Sequence, residues 1–313
     1  MDFCGLLTFS KELLFRKEVL GEIFETTISE TNVKVCFPYY PKHITSANDY
    51  MNKDLSLEPP NCCVLTRNGK PIYFGALMGY PACVSRIKSV MILIDCDEKY
   101  VEKIAEKLYG SIKKWGRKFV EYCDLCTKDS SPIARCTDTD ACDLSLVYEK
   151  YIPSSEIIHI DVDFIKDEDC LTKKQVISAF KFVSSNAELL FEYRMLLSAY
   201  KARTERQYRQ AVVDACSAVE ICLNKQIEKY CKSIGLNSDV LFEKYKSLGD
   251  KFKLIKKIDK TFNVKDPFNR IVNPRNGVVH RNEFPDAKKT WELFIAVEEC
   301  LKFYNKDFYE ITE

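Results

Sequence analysis

Asn273-Pro274-Arg275-Asn276-Gly277-Val278-Val279-His280 stands between two stretches of helical period, late in a chain of 313 residues. Asparagine is a favoured N-cap and proline a favoured first helical residue, so a helix is predicted to begin here. Asn276 and His280 are four apart in the chain and share a face of that helix. Arg275 lies roughly 140° from His280 at about 100° per residue, and its long side chain can curl to the same side. A cation, an amide and an imidazole would then gather near a helix start, where backbone N–H groups suit an anion such as phosphate.

The three side chains are of types that can do acid–base work beside a phosphate. An imidazole gives or takes a proton near neutral pH. Cleavage of RNA without a metal needs a base on the 2′-hydroxyl and an acid on the leaving 5′-oxygen. Arg275 would stabilise charge building on the phosphoryl oxygens, and its planar fork suits phosphate better than lysine would. Asn276 would position the ring or the phosphate. The alternative is that Arg275 and His280 only close a helix end. Gly277 sits inside the helix, where glycine costs about 1 kcal/mol against alanine. Its bare backbone would admit either a phosphate or partner helix, or a tight helix crossing. Glu220, on the preceding long helix, would hold Arg275 or fix the His280 tautomer, or else form a structural ion pair. Arg203, Arg206 and Arg209 read as an RNA-backbone track or as a solvated basic face.

Outward from the motif, the period is helical on both sides. Thr172 is expected to cap a helix to about Ala202, with Val176, Ala179, Phe180, Val183, Leu190 and Met195 inward. Thr204 is expected to start a second, through Cys231 to near Gly235. Ser238 or Asp239 caps a third, from Val240 to about Lys257 with a break near Gly249. The motif helix is the fourth, and Asp286 to Tyr304 the fifth. Helices joined by short loops make a bundle.

With Arg275, Asn276 and His280 in that setting, the last 140 or so residues resemble the HEPN domain (higher eukaryotes and prokaryotes nucleotide-binding). The resemblance implies a metal-independent endoribonuclease that needs no cofactor, often serving an antiviral or toxin system. It also implies a homodimer, in which a second protomer completes the site with its own Arg275 and His280. Some members only bind RNA or dimerise, and that is the alternative function here.

Before the bundle the period is two. Leu6 to Phe9, Val33 to Phe37, Ile87 to Asp95, Leu144 to Tyr151 and Ile157 to Phe164 read as strands. Leu13 to Phe24 is ambiguous, and residues 38–60 read as loop. Asn68-Gly69 between Cys62–Arg67 and Pro71–Met78 marks a hairpin. A helix is predicted from about Glu98 to Gly116, capped by Asp95 or Asp97. The switch of period near Lys166-Asp167-Glu168-Asp169 places a boundary there. The expected architecture is α+β: a mixed sheet domain over residues 1–165, with a sensing, regulatory or substrate-recognition role, then an all-α bundle over 166–313.

Lys+Arg 47 against Asp+Glu 46 leaves a net charge of +1, so RNA contact must be local rather than global. No apolar run reaches the roughly 20 residues of a membrane span, and Met1-Asp2-Phe3-Cys4 predicts no secretion leader. Fifteen cysteines, an odd number, argue for free thiols in a reducing cytoplasm. Cys123-x2-Cys126, Cys136 and Cys142 form a zinc candidate that would staple a loop from Tyr122 to Cys142, against chance clustering. His43 and His159 read as ordinary surface residues. No phosphate loop, nucleophile elbow or paired-carboxylate metal site is present in the sequence.

Overall fold

The computed structural model describes residues 2–41, 55–60, 66–67, 70–78, 84–95, 101–128, 142–146, 170–185 and 187–305. The chain divides into two compact units, Met1–Glu188 and Leu189–Glu313. The first carries an antiparallel sheet and the second is helical, so the α+β class holds.

The sheet is built on two long strands, β1 (Asp2–Arg16) and, as the eighth in the chain, Val84–Asp95. Between them come β2 (Ile23–Ile28), β3 (Thr31–Cys36), β4 (Leu55–Ser56), β5 (Thr66–Arg67), β6 (Lys70–Pro71) and β7 (Gly75–Met78). Val84–Asp95 is therefore β8, and β9 is Cys142–Leu146. The order is β2-β3-β8-β1-β9, with β7 on β8 and β4 on β7. β8 shares one flank between two partners: Val84 to Ile87 pair with β7, and Met91 to Leu93 with β3. The ambiguous stretch after Leu13 is strand up to Arg16, because β1 runs on through a register shift between Thr8 and Leu13. A bulge of this kind re-aims side chains, and Lys11 reaches Asp124 at 2.5 Å. Arg67 pairs with Lys70. Asn68, Gly69, Asp97, His43, His159 and the 157–164 strand lie outside the described residues.

The helix predicted to stop at Gly116 continues: α1 is Val101–Cys126. Trp115 and Phe119 stack at 5.3 Å, and Phe119 meets Phe180 at 5.2 Å. These rings are the reason the helix extends, since its second half buries them against the sheet. Phe180 belongs to α2 (Lys173–Ser184), which also stacks Phe24 of β2 at 4.8 Å. So α2 is part of the sheet unit. The division falls at Glu188/Leu189 rather than at 165/166, because the apolar face of α2 is spent on aromatic rings of the first unit.

Thr172 caps α2 in a reciprocal box with Gln175. Thr172→Ala is expected to cost about 1 kcal/mol, read as a lower denaturant midpoint at unchanged slope. The helix does not run to Ala202. Ser184 and Ser185 turn their hydroxyls onto the carbonyls of Phe180 and Phe182, and Ser185 Oγ accepts from the amide of Ala187. Such local bonds compete with helix propagation.

The second unit restarts with α3 (Phe191–Thr204), so Thr204 ends a helix instead of starting one. It continues with α4 (Tyr208–Ser233), α5 (Ser238–Lys244) capped by Asn237, and α6 (Leu248–Ile258) capped by Ser247. The break predicted near Gly249 falls at Tyr245–Ser247. Then come a π turn (Phe268–Val272), α7 (Asn273–His280) and α8 (Ala287–Tyr304), capped by Asp286. α4 is central, and α3, α6, α7 and α8 all pack on it. Its buried Ala211, Val212, Ala215, Val219, Leu223 and Ile227 follow the helical period. Buried carboxylates carry partners, as burial demands: Asp214 accepts from Ser198 and Gln210 at 2.7 Å each, and Glu192 meets Lys225 at 2.6 Å. Among the described residues no helix is long and apolar enough to cross a membrane.

Candidate active site

The helix that carries the motif begins earlier than its Asn-Pro pair suggests. Asp266 accepts from the amide of Asn269 and, at 2.7 Å, from its side chain. The backbone is helical from Pro267, and Val272 (φ −68°, ψ −48°) and Asn273 (φ −64°, ψ −46°) lie inside the run. Asn273 is therefore not an N-cap. Its amide donates to the Phe268 carbonyl five residues back, which is the π turn. Pro274 has no amide to offer the Arg270 carbonyl, and a widened turn accommodates the missing bond. The positive end of the helix lies at Asp266, whose carboxylate occupies it; hydrogen bonding from Asn269 holds that carboxyl below its usual range. No anion site built of free backbone amides exists at Arg275, so charge stabilisation there falls to the guanidinium.

Arg275 and His280 do meet. Arg275 Nη1 is 3.3 Å from His280 Nε2 and 3.5 Å from Asn276 Oδ1. Arginine only donates, so Nε2 is the acceptor where this contact is a hydrogen bond. His280 is exposed, and Arg275 and Asn276 are half-buried. The inner side of α7 is Gly277 and Val278, with Ile271 and Val272 of the π turn below. Cys216 of α4 lies under this floor, its thiol facing the Ile271 carbonyl at 3.8 Å. Burial pushes that thiol up to about 12, against the pull of the Arg275 guanidinium.

Other expected members of the site are placed differently. Glu220 is bound to Lys251 of α6 at 2.5 Å, the structural ion pair of the two readings, and it holds neither Arg275 nor the His280 ring. The bare face of Gly277 is filled from within its own chain: a Cβ there would meet the Glu283 carboxylate. Cys123 and Cys126 are buried in the last turns of α1, not on a loop, and burial raises the Cys126 thiol. Cys136 lies outside the described residues, and of Cys142 only the backbone, in β9, is described. Among the described residues no group of three or more His, Cys, Asp or Glu is placed to hold a metal.

The arginines of α3 and α4 do not form a track. Arg203 lies over the rings of Trp291 and Phe294, at 5.0 and 5.3 Å. Arg209 belongs neither to an RNA-backbone track nor to a solvated basic face: it fastens the end of α7. Its Nη1 donates to Asn282 Oδ1 at 2.6 Å and its Nη2 to the Val278 carbonyl at 3.1 Å. Asn282 is left-handed (φ 55°), a frequent helix-stop conformation. Arg281 Nε donates to Glu283 at 2.7 Å, and the amides of Arg281 and Glu283 both donate to the Gly277 carbonyl. The end of α7 is thus closed on three sides. Asn282 was the one visible signal; the Arg209 contacts span 69 to 73 residues and left none.

The opposite side of α7 borders a cleft of ≈520 Å³. Asn269, Asn273, Pro274 and Val278 line one wall, and Lys289, Glu292 and Leu293 of α8 the other. Arg281, Glu283, Phe284 and Pro285 close its end, while Arg275, Asn276 and His280 lie outside it. Comparison of the chain with protein-family models, with curated proteins and with solved structures found no match.

Proposed function

We propose that the helical unit is a metal-independent endoribonuclease of the HEPN type. It acts as a homodimer in a defence or toxin system of the cytoplasm. The observation that carries this reading is the Arg275–His280 pair, 3.3 Å apart on the solvent side of α7. An Nε2 that accepts stands beside a guanidinium, which suits abstraction of a 2′-hydroxyl proton next to a phosphate. The 2′-oxygen then attacks phosphorus, the P–O5′ bond breaks, and a cyclic phosphate forms. Protonating O5′ needs a second acid. One motif supplies one imidazole, and a two-fold partner supplies the other; Val279 beside it is 43% exposed, offering an apolar contact for such a pairing. The free, buried cysteines fit a reducing compartment.

The full chain should cleave total RNA with chelator present, leaving 2′,3′-cyclic phosphate ends. Arg275→Ala should slow this by about 10² to 10³, with Arg275→Lys recovering only part. Cleavage that stops with chelation, or ends that are never cyclic, would remove the proposal. The second reading, a binding or dimerisation module, is favoured by the fact that Arg275 and His280 also satisfy one another at a helix end. Its mark is no cleavage, with thermal stability falling when either residue is changed.

A further inference from the structure

We infer that Phe284 and the cleft behind it form a nucleobase subsite, holding an unpaired base of single-stranded RNA next to the phosphate at Arg275 and His280. This rests on the ribonuclease reading and adds to it a preference for single strands. Phe284 is 74% exposed, in the turn that directly follows α7. An exposed aromatic ring usually moves freely, but this one is supported. The Arg209 guanidinium lies 4.7 Å from its centroid, and the same guanidinium is tied to Asn282 and to the Val278 carbonyl. One face of the ring is backed by a fixed cation and the other is open. That is the construction of a stacking platform, sequence-tolerant because every base has a π-face.

The cleft beside the ring has matching chemistry. Its volume of ≈520 Å³ lies within the range of ordinary ligand pockets. Pro274, Pro285 and Leu293 give apolar walls for a flat base; Asn269 is engaged by Asp266 and by the Asn273 nitrogen, and the Asn273 side-chain oxygen can meet the base's polar edge. Among the charged lining residues, cations exceed carboxylates: Arg270, Arg281 and Lys289 against Glu283 and Glu292. Arg270 is engaged by Glu299, at 2.9 Å through its second nitrogen, and Arg281 by Glu283. Glu292 balances Lys289 along the rest of the lining, so the positive charge a phosphate-linked ligand needs is the Arg209 guanidinium behind Phe284. Residues 274, 278 and 281 face the cleft, while 275 and 280 carry the pair on the other side. A strand crossing the end of α7 would set a base in one and its phosphate against the other. A base in a stacked duplex could not enter, which is the basis of the single-strand preference.

The test uses the full chain in a His280→Ala background, so that RNA survives the measurement. Fluorescence anisotropy with a labelled single-stranded oligoribonucleotide should show about tenfold weaker binding for Phe284→Ala, with Phe284→Trp close to the parent. Binding of the matching duplex should be weak in all three. Equal single-strand binding by the alanine variant would overturn the subsite. So would a drop in Phe284→Ala that coincides with loss of dimer in sedimentation, since a second copy would then be covering the ring. RNA cleavage by the parent chain with no effect of Phe284→Ala removes the subsite alone. Absence of both binding and cleavage removes the ribonuclease reading as well.

Discussion

Replacing His280 by alanine is expected to slow RNA cleavage by on the order of 10² to 10⁴, the usual contribution of a positioned general acid or base. The fold should survive, because the ring is exposed and its one bond is to Arg275. The far-ultraviolet spectrum and melting temperature should therefore stay near those of the parent. Mixing supplies the sharper arm. If each site draws one imidazole from each protomer, a heterodimer of parent and His280→Ala chains has lost one of its two rings. Adding an excess of the variant should then depress parental activity below the mere dilution value. Activity that falls only with dilution would mean that each protomer works alone. Parental activity in pure His280→Ala would take the imidazole out of the chemistry altogether.

The largest stability effect is expected at Phe252. This ring is fully buried on α6, 6.1 Å from the Phe262 ring and 6.4 Å from Phe268 in the π turn. Truncation to alanine leaves a cavity between α6 and the segment that supports α7, at a cost of about 3 to 5 kcal/mol. Gly249, one turn earlier, shows how close this packing is: a Cβ there would stand 3.3 Å from the Phe268 ring and 3.4 Å from Val272. There is little slack to collapse into the hole. Denaturant unfolding followed by near-ultraviolet absorbance of the helical unit would read the loss as a shifted midpoint. A change below about 1 kcal/mol would mean that the contact between α6 and the π turn contributes little.

Much of the architecture was legible because short-range physics decided it. Thr172 announces a helix start and caps it in the structure, and Asp286, read as the start of the last helix, is its cap. Alternating Val33, Val35 and Phe37 are buried along and just after β3. Arg275 reaches His280 because its long side chain curls round the helix, as its reach allows despite a separation of roughly 140°. The misreadings have a common cause: residues that fit two local structures, with tertiary packing choosing between them. Asn273-Pro274 fits a helix start equally well as a π turn, and the buried Ile271 and Val272 select the second. Ser184 and Ser185 fit a helix interior until their hydroxyls find carbonyls. Glu220 carries no local sign of which cation it meets, and Lys251 is the one α6 brings to it. Arg209 had no local sign at all, since its partners arrive from 69 residues or more away.

The π turn has one last consequence, for the phase of everything after it. A wide turn is one residue longer than the α turn it replaces. Winding Phe268–Val272 as a regular α turn, with no residue removed, would swing the following segment about 100° around its own axis. Val278 would leave the floor, and the guanidinium and imidazole would rotate together, still neighbours but aimed elsewhere. The inserted residue works like a clock setting: it fixes the direction in which an otherwise self-contained pair looks.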